Sequence, residues 1–396
     1  MQSPIPEYLE SVLRECEDLD EGSIPRGNDE LAAADPELFG IALATVGGSM
    51  YTAGDAETEF SIQSIAKTLT YALALDDHGL DALLEVVDVE PSGDSFNEIS
   101  LEPGTGRPRN ALINAGALAV HSMVRADSAS HRLERIRELH SRVAGRTLPV
   151  DDAVHQAELA ADDRNTGIAH LLKAMNKLGA EPAEVVDGYA GQCAISVNCR
   201  DLAAIAAVMA NGGIDPHGGA RLLDARITRH VLSTMATCGM YDGSGNWMSS
   251  VGIPAKSGVA GAIMGVLPGQ VGIAVISPRL NEHGNSVRAV AVFERLSRDL
   301  ELHMMHVSAS GESAVRSIEE RSGTTMIELQ GDLRFAGAES ILTRLTSGFP
   351  DGNRVELCFE NVRAVDDAAR RLLTEAIGRL GADGHRVSIT DPHELL

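Results

Sequence analysis

The sequence predicts a mixed α/β chain in two parts: an antiparallel sheet flanked by helices and carrying a helical lobe, followed by a small α/β module. Three observations predict it. The run FGIALATV at 39–46 is apolar but for Thr45 and reads as a buried strand. After Lys256 the pattern becomes strand-rich, so N-terminal and C-terminal strands can share one sheet around a helical middle. From residue 314 short strand and helix patterns alternate. At 396 residues the chain also exceeds the roughly 100–200 residues of a single domain.

Taken in order, residues 7–19 read as an amphipathic helix and 39–46 as the first strand. Ser64 opens a helix to His78, with Ile65, Leu69, Ala72 and Leu73 at helical spacing and Gly79 in the capping place. Further helices are expected at 111–125, 166–178 and 200–211. GQVGIAVIS (269–277) and SVRAVAVFE (286–294) read as two strands of a hairpin joined by PRLNEHGN, which is dense in turn formers. The first domain is expected to span 1–307, with SASGES at 308–313 as a small, polar linker. In the module at 314–396 the order is strand Thr325–Gln330, helix Phe335–Leu345, strand Arg354–Phe359, helix Asp367–Gly381, strand Arg386–Thr390.

Composition narrows the function. The formal net charge of −24, from 33 basic against 57 acidic side chains, repels phosphate backbones and anionic lipid, so neither nucleic acid nor a membrane is expected as partner. The excess is spread, −5 over residues 312–396 and −19 over the rest. Five scattered cysteines without a CxxC pair argue against a disulfide framework and a zinc site, and suit a reducing compartment. With no leader pattern and no run of about 18 apolar residues, a cytoplasmic location is expected. His303 and His306 form an HxxH with no third ligand in reach; no metal or cofactor is implied.

Chemistry enters with lysine. Only four of the 33 basic residues are lysines (Lys67, Lys173, Lys177, Lys256). In a chain that favours arginine so strongly, a lysine can do what arginine cannot, which is lose its proton. Ser64-Ile65-Ala66-Lys67 is an SxxK at a helix start: hydroxyl and amine share one helical face, beside the free N–H groups of the first turn. A desolvated, neutral Lys67 could take the serine proton. Alone, the motif reads equally as a surface lysine one turn into a helix. Lys256-Ser257-Gly258, ahead of the strand pair, is the KSG that partners SxxK in penicillin-recognising serine enzymes, where the strand edge gives an N–H to the oxyanion hole.

With both motifs in place the first 305 residues resemble the serine-dependent glutaminases of the penicillin-binding-protein and β-lactamase-like fold. The blocks that carry the resemblance are FSIQSIAKTLTYALAL around Ser64, EPSGDSFNEI (90–99), PRNALINAGAL (108–118), GYAGQCAISVNCRDLA (188–203) and CGMYDGSGNWMSSVGIPAKSGVAGAI (238–263). The resemblance implies hydrolysis of L-glutamine to L-glutamate and ammonia, with Ser64 as nucleophile, Lys67 as base, Tyr241 beside the reacting hydroxyl and the Val259 N–H in the oxyanion hole. It implies substrate contacts at Asn114, Glu158, Asn165 and Tyr189, and Lys256 and Ser257 of the KSG are expected to bind substrate with them. Residue chemistry agrees: an ammonium needs an acid such as Glu158, and a carboxylate needs neutral donors such as Asn114, Asn165 and Tyr189. Read singly, Glu158 could instead face solvent on a helix and Asn165 could cap one. The family also implies a homodimer or homotetramer.

Residues 314–396 resemble a STAS domain. In regulatory members of that family a phosphorylatable serine follows the third strand; here the stretch is Val365-Asp366-Asp367-Ala368-Ala369, without a hydroxyl. The module is expected to serve assembly, docking or sensing. Two rival readings use the same residues: a β-lactamase or peptidase sharing SxxK and KSG, and a non-catalytic protein whose working part is the STAS-like module.

Overall fold

The computed structural model describes residues 3–25, 28–93, 99–306, 313–321, 323–346 and 354–396. The linker expected at 308–313, except Ser313, and part of the 90–99 block lie outside them. The chain divides into two compact units, Met1–His306 and Val307–Leu396.

The first unit begins with α1 (Ile5–Cys16), the single-turn α2 (Asp29–Ala32), β1 (Gly40–Thr45), β2 (Met50–Gly54) and β3 (Phe60–Ser61). A 3-10 turn, Gln63–Ala66, runs directly into α3 (Lys67–His78). The lobe follows as α4 (Leu80–Leu84), α5 (Asn114–Met123), α6 (Ala129–Ala144), α7 (Asp152–Ala160), α8 (Asp163–Ala174) and α9 (Pro182–Cys193). Then come β4 (Ser196–Val197), α10 (Cys199–Ala210), α11 (Ala225–Cys238), a second 3-10 turn at Tyr241–Gly243 and α12 (Ser244–Ser250). β5 (Ala255–Gly258), β6 (Ala262–Leu267), β7 (Val271–Ile276) and α13 (Val287–Asp299) complete it.

Five strands form an antiparallel sheet in the order β2-β1-β7-β6-β5, so the first strands lie beside the last. Alternate residues of β1 face opposite layers. Ala42 and Ala44 meet Leu202, Ala203 and Ala206 of α10, while Ile41 and Leu43 meet α1 and α13 through Leu9, Val12, Val292 and Phe293. Two covered faces explain why 39–46 is apolar without alternation. α10 lies so close to β7 that a Cβ at Gly272 would stand 2.3 Å from the Ala207 backbone nitrogen.

The strand expected at 286–294 is a helix, α13. Its valines suggest a strand, yet the segment also carries an N-cap, Ser286, whose hydroxyl accepts from the Ala289 N–H and donates to the Ser277 carbonyl. Ala289, Val292, Phe293 and Leu296 recur at helical spacing and bury one face against the sheet. Phe293 packs on Trp247, ring centroids 5.2 Å apart. Packing of that stripe outweighs β propensity.

A buried polar tie joins α3 to α5 and α9 of the lobe. Gln192 Oε1 lies 2.9 Å from His121 Nδ1 and accepts from the Thr70 hydroxyl at 3.3 Å. These three helices carry Lys67, Asn114 and Tyr189. Among the described residues no helix is long and apolar enough to cross a membrane.

The second unit holds β8 (Val315–Arg321), β9 (Thr324–Leu333), α14 (Phe335–Thr346), β10 (Arg354–Val365), α15 (Asp367–Ala382) and β11 (Arg386–Thr390). Its sheet order is β11-β10-β9-β8, parallel across β10 and antiparallel between β8 and β9. Its own core includes Ile327, Leu329, Leu357, Phe359, Ala369 and Leu373. Asp366 caps α15 by accepting from the Ala369 N–H at 2.7 Å.

Candidate active site

Ser64 stands in the 3-10 turn and Lys67 opens α3. Ile62 N–H donates to the Ile195 carbonyl at 2.8 Å, continuing the β3–β4 pairing and fixing the entry to the turn. Gln63 then takes φ +51°, a left-handed conformation that a non-glycine residue adopts only under constraint. Tyr241 has φ +58°. Two strained backbone positions therefore converge on the same hydroxyl, because Tyr241 is hydrogen-bonded to Ser64.

Lys67 is buried at 1% exposure. Its amine donates to Asn114 Oδ1 at 2.7 Å and to the Leu112 carbonyl at 3.3 Å. Both acceptors come from one local structure: Asn110 Oδ1 accepts from the Leu112 and Ile113 N–H groups and turns the chain into α5. Gly116 is required there, since a Cβ would lie 1.8 Å from the Asn110 carbonyl oxygen. Burial pulls the Lys67 pKa from 10.5 down to about 8.

Asn114 is the hub of a chain of amides. Tyr189 OH donates to its Oδ1 at 3.3 Å, and its Nδ2 donates to Asn165 Oδ1 at 3.1 Å. Asn165 in turn is hydrogen-bonded to the Asp162 carboxylate. An acceptor-only group at one end and an amine at the other set the same direction for both amides. Burial, then the neighbouring Glu158, raises the Asp162 carboxyl to about 6.

Glu158, on α7, accepts from Gln63 Nε2 at 3.0 Å and from Asn28 Nδ2 at 2.7 Å. Burial raises its pKa and the two hydrogen bonds oppose that shift. Gln63 also donates to Ser61 Oγ at 3.1 Å. Neither Gln63 nor Asn28 is apparent from the sequence. A glutamine before the SxxK has no signature, and its importance lies in a φ value; Asn28 reaches Glu158 across 130 residues.

The KSG strand, β5, packs against the serine turn. Ser257 on β5 accepts, through its carbonyl, both the Tyr241 hydroxyl at 2.9 Å and the Lys256 amine at 2.6 Å. Lys256 is fully buried with its nitrogen 4.3 Å from the Tyr241 ring centroid, and burial followed by the charge of Lys67 depresses its pKa well below 10.5. Gly258 brings the strand end against the serine turn: a Cβ there would meet the Ile62 carbonyl oxygen at 3.2 Å and Gln63 Cβ at 3.4 Å. Val259 follows, half-buried.

All ten residues singled out in the sequence thus lie in one region of the first unit, arranged around the serine turn. Tyr241 also forms one wall of an adjoining cavity of about 350 Å³ lined by Pro91, Asn110, Ile113, Cys238 and Met248. Cys193, on α9, is buried beside Tyr189, and burial pushes its thiol up. Among the described residues no group of three or more His, Cys, Asp or Glu side chains could hold a metal ion.

Comparison with known proteins places this site in a family. The glutaminase family model matches residues 22–305 and the STAS domain model residues 315–395. A glutaminase of Corynebacterium glutamicum is 45% identical over 395 residues, covering 99% of this chain and 95% of that protein. A glutaminase of Trichormus variabilis is 44% identical over 302 residues, 76% of this chain but 90% of its own. The solved structure of Mglu superposes with a TM-score of 0.93 at 46% identity over the whole of both chains. Mglu in its glutamate form gives 0.93 at 43%, again over all of both chains. A serine turn, a buried lysine and an amide cluster inside a fold shared over its full length lead to one assignment: the chain belongs to the glutaminase family, amidohydrolases acting on glutamine, and ends in a STAS domain.

Proposed function

We propose that glutamine hydrolysis by this chain runs through an acyl-enzyme on Ser64, with Lys67 as the base. The observation that carries this reading is the buried Lys67 amine. It is stripped of water, close to neutrality, and held by two acceptors, Asn114 Oδ1 and the Leu112 carbonyl. A neutral amine that gives both its hydrogens to those oxygens keeps its lone pair for the hydroxyl three residues back. Lys67 takes the Ser64 proton; the Ser64 oxygen bonds to the side-chain amide carbon of glutamine. The N–H groups of Ser64 and Val259 hold the resulting oxyanion. Tyr241, already bonded to Ser64, passes a proton to the departing nitrogen as the C–N bond breaks, and ammonia leaves. Water then attacks the ester by the reverse proton path and releases glutamate.

Glu158 takes the substrate ammonium. Asn114, Asn165 and Tyr189, which satisfy one another in the described arrangement, turn donors to the substrate carboxylate. Lys256 and Ser257, expected from the sequence to bind substrate, are read instead as supports for Tyr241, because both are buried and the Ser257 carbonyl accepts from Tyr241 and Lys256 together. Ser64→Ala should lower kcat by about a thousandfold or more while glutamine still binds. Wild-type turnover in that variant would end the assignment.

The same reading extends to assembly as a homodimer or homotetramer, to a cytoplasmic setting suited to five free, buried cysteines, and to a docking, assembly or sensing role for the second unit.

A further inference from the structure

We propose that Asn28 is a positioning residue for the ammonium end of the substrate, acting through Glu158. The proposal rests on the reading of Glu158 given above. Asn28 is buried at 8% exposure, and its amide is not free to turn. Its Oδ1 accepts from the Glu30 N–H at 2.9 Å and the Leu31 N–H at 3.3 Å, capping α2. With the oxygen spent on the cap, the Nδ2 must face outward, and it donates to Glu158 Oε1 at 2.7 Å. The cap thus determines which end of the amide Glu158 meets, and the single turn of α2 aims a donor at the carboxylate.

That carboxylate needs help. Burial disfavours its charge, and the groups facing it supply little compensation. Asp162 is a second buried acid nearby; Tyr189 and Cys193 of α9 both feel its charge, and α2 itself brings Asp29 and Glu30. No cation stands among these. Gln63 and Asn28 are the two side-chain donors that oppose the effect of burial on Glu158. Both bond to Oε1, so these two donors hold the carboxylate through one oxygen and leave Oε2 to a further partner. A carboxylate so oriented and held charged can receive an ammonium; one that rotates or takes a proton cannot.

The Asn28→Asp variant separates the two jobs of this side chain. A carboxylate caps α2 equally well, so the fold is retained, but it removes the donor and places a second acid against Glu158. Asn28→Asp should raise KM for glutamine by about tenfold or more, leave kcat within about twofold, and move the acid limb of kcat/KM to higher pH. Lys67 sets the limb that breaks at about pH 8, and Glu158 with Asp162, as a coupled pair, adds a second and lower one, so the readout is the displacement of that lower limb between variant and wild type. Glu158→Gln is measured beside it, with thermal melts on both. Asn28→Ser, a neutral cap too short to reach, is substituted should the aspartate variant not fold, with a rise in KM again expected. The proposal fails if Glu158→Gln raises KM while the Asn28 variants leave KM and the acid limb unmoved. If Glu158→Gln itself leaves KM unchanged, the assignment of Glu158 falls, and this proposal with it.

Discussion

Burial decides the chemistry of Lys67. In water its amine would be protonated at any physiological pH; stripped of water, it is half neutral at about pH 8. The sign follows directly. As the proposed base, Lys67 is competent only without its extra proton, so kcat/KM for glutamine should rise about tenfold per unit below pH 8 and level off above it. A profile flat from about pH 6 to about 9 would remove lysine as the base. The Ser64 and Lys67 pair was legible in the sequence because the motif spacing is local and lysine is rare in this chain. Asn114, Glu158, Asn165 and Tyr189 were visible only through resemblance, since a lone amide, acid or phenol has no signature. Gln63 and Asn28 were invisible. Their roles come from a left-handed backbone and from a contact across the fold, and neither leaves a mark on local composition.

Elements hold these residues in register through close backbone approaches. At Gly239, just after α11, a Cβ would stand 1.8 Å from the Ala255 carbonyl oxygen of β5 and 2.7 Å from that of Met235. Gly239→Ala should destabilise the first unit by about 1–3 kcal/mol or more and lower turnover, because β5 carries Lys256 and Ser257 behind Tyr241. Gly245→Ala in α12, where a Cβ would meet nothing within 4 Å, should leave both properties nearly unchanged. Thermal melts and glutamine kinetics on the pair check this; equal behaviour would refute it. The sequence revealed the buried strands 39–46 and 269–277 and the helix after Ser64, where apolar pattern and caps agree. It failed at 286–294, where a valine-rich run satisfied two periods and only packing on the sheet could choose between them.

At the scale of the whole molecule, each unit has its own core. The Trichormus variabilis glutaminase is matched over 90% of its length by about three quarters of this chain. Residues 1–306 alone should therefore fold and hydrolyse glutamine with kcat close to that of the full chain. Turnover and sedimentation of both forms measure this, and loss of activity with the fold retained would tie the STAS domain to catalysis. The fold class was legible because apolar runs at both ends of the first unit can meet only in one sheet. In the second unit, Asp366 occupies the cap that opens α15, which explains why the turn needs no hydroxyl to form. The most direct measurement is a rapid acid quench of the enzyme during turnover of glutamine, followed by mass analysis of its peptides. A γ-glutamyl ester on the peptide bearing Ser64, absent from Ser64→Ala, is the expected result. Full turnover with the adduct on another residue, or with no adduct even when ammonia release outpaces glutamate release, would contradict it.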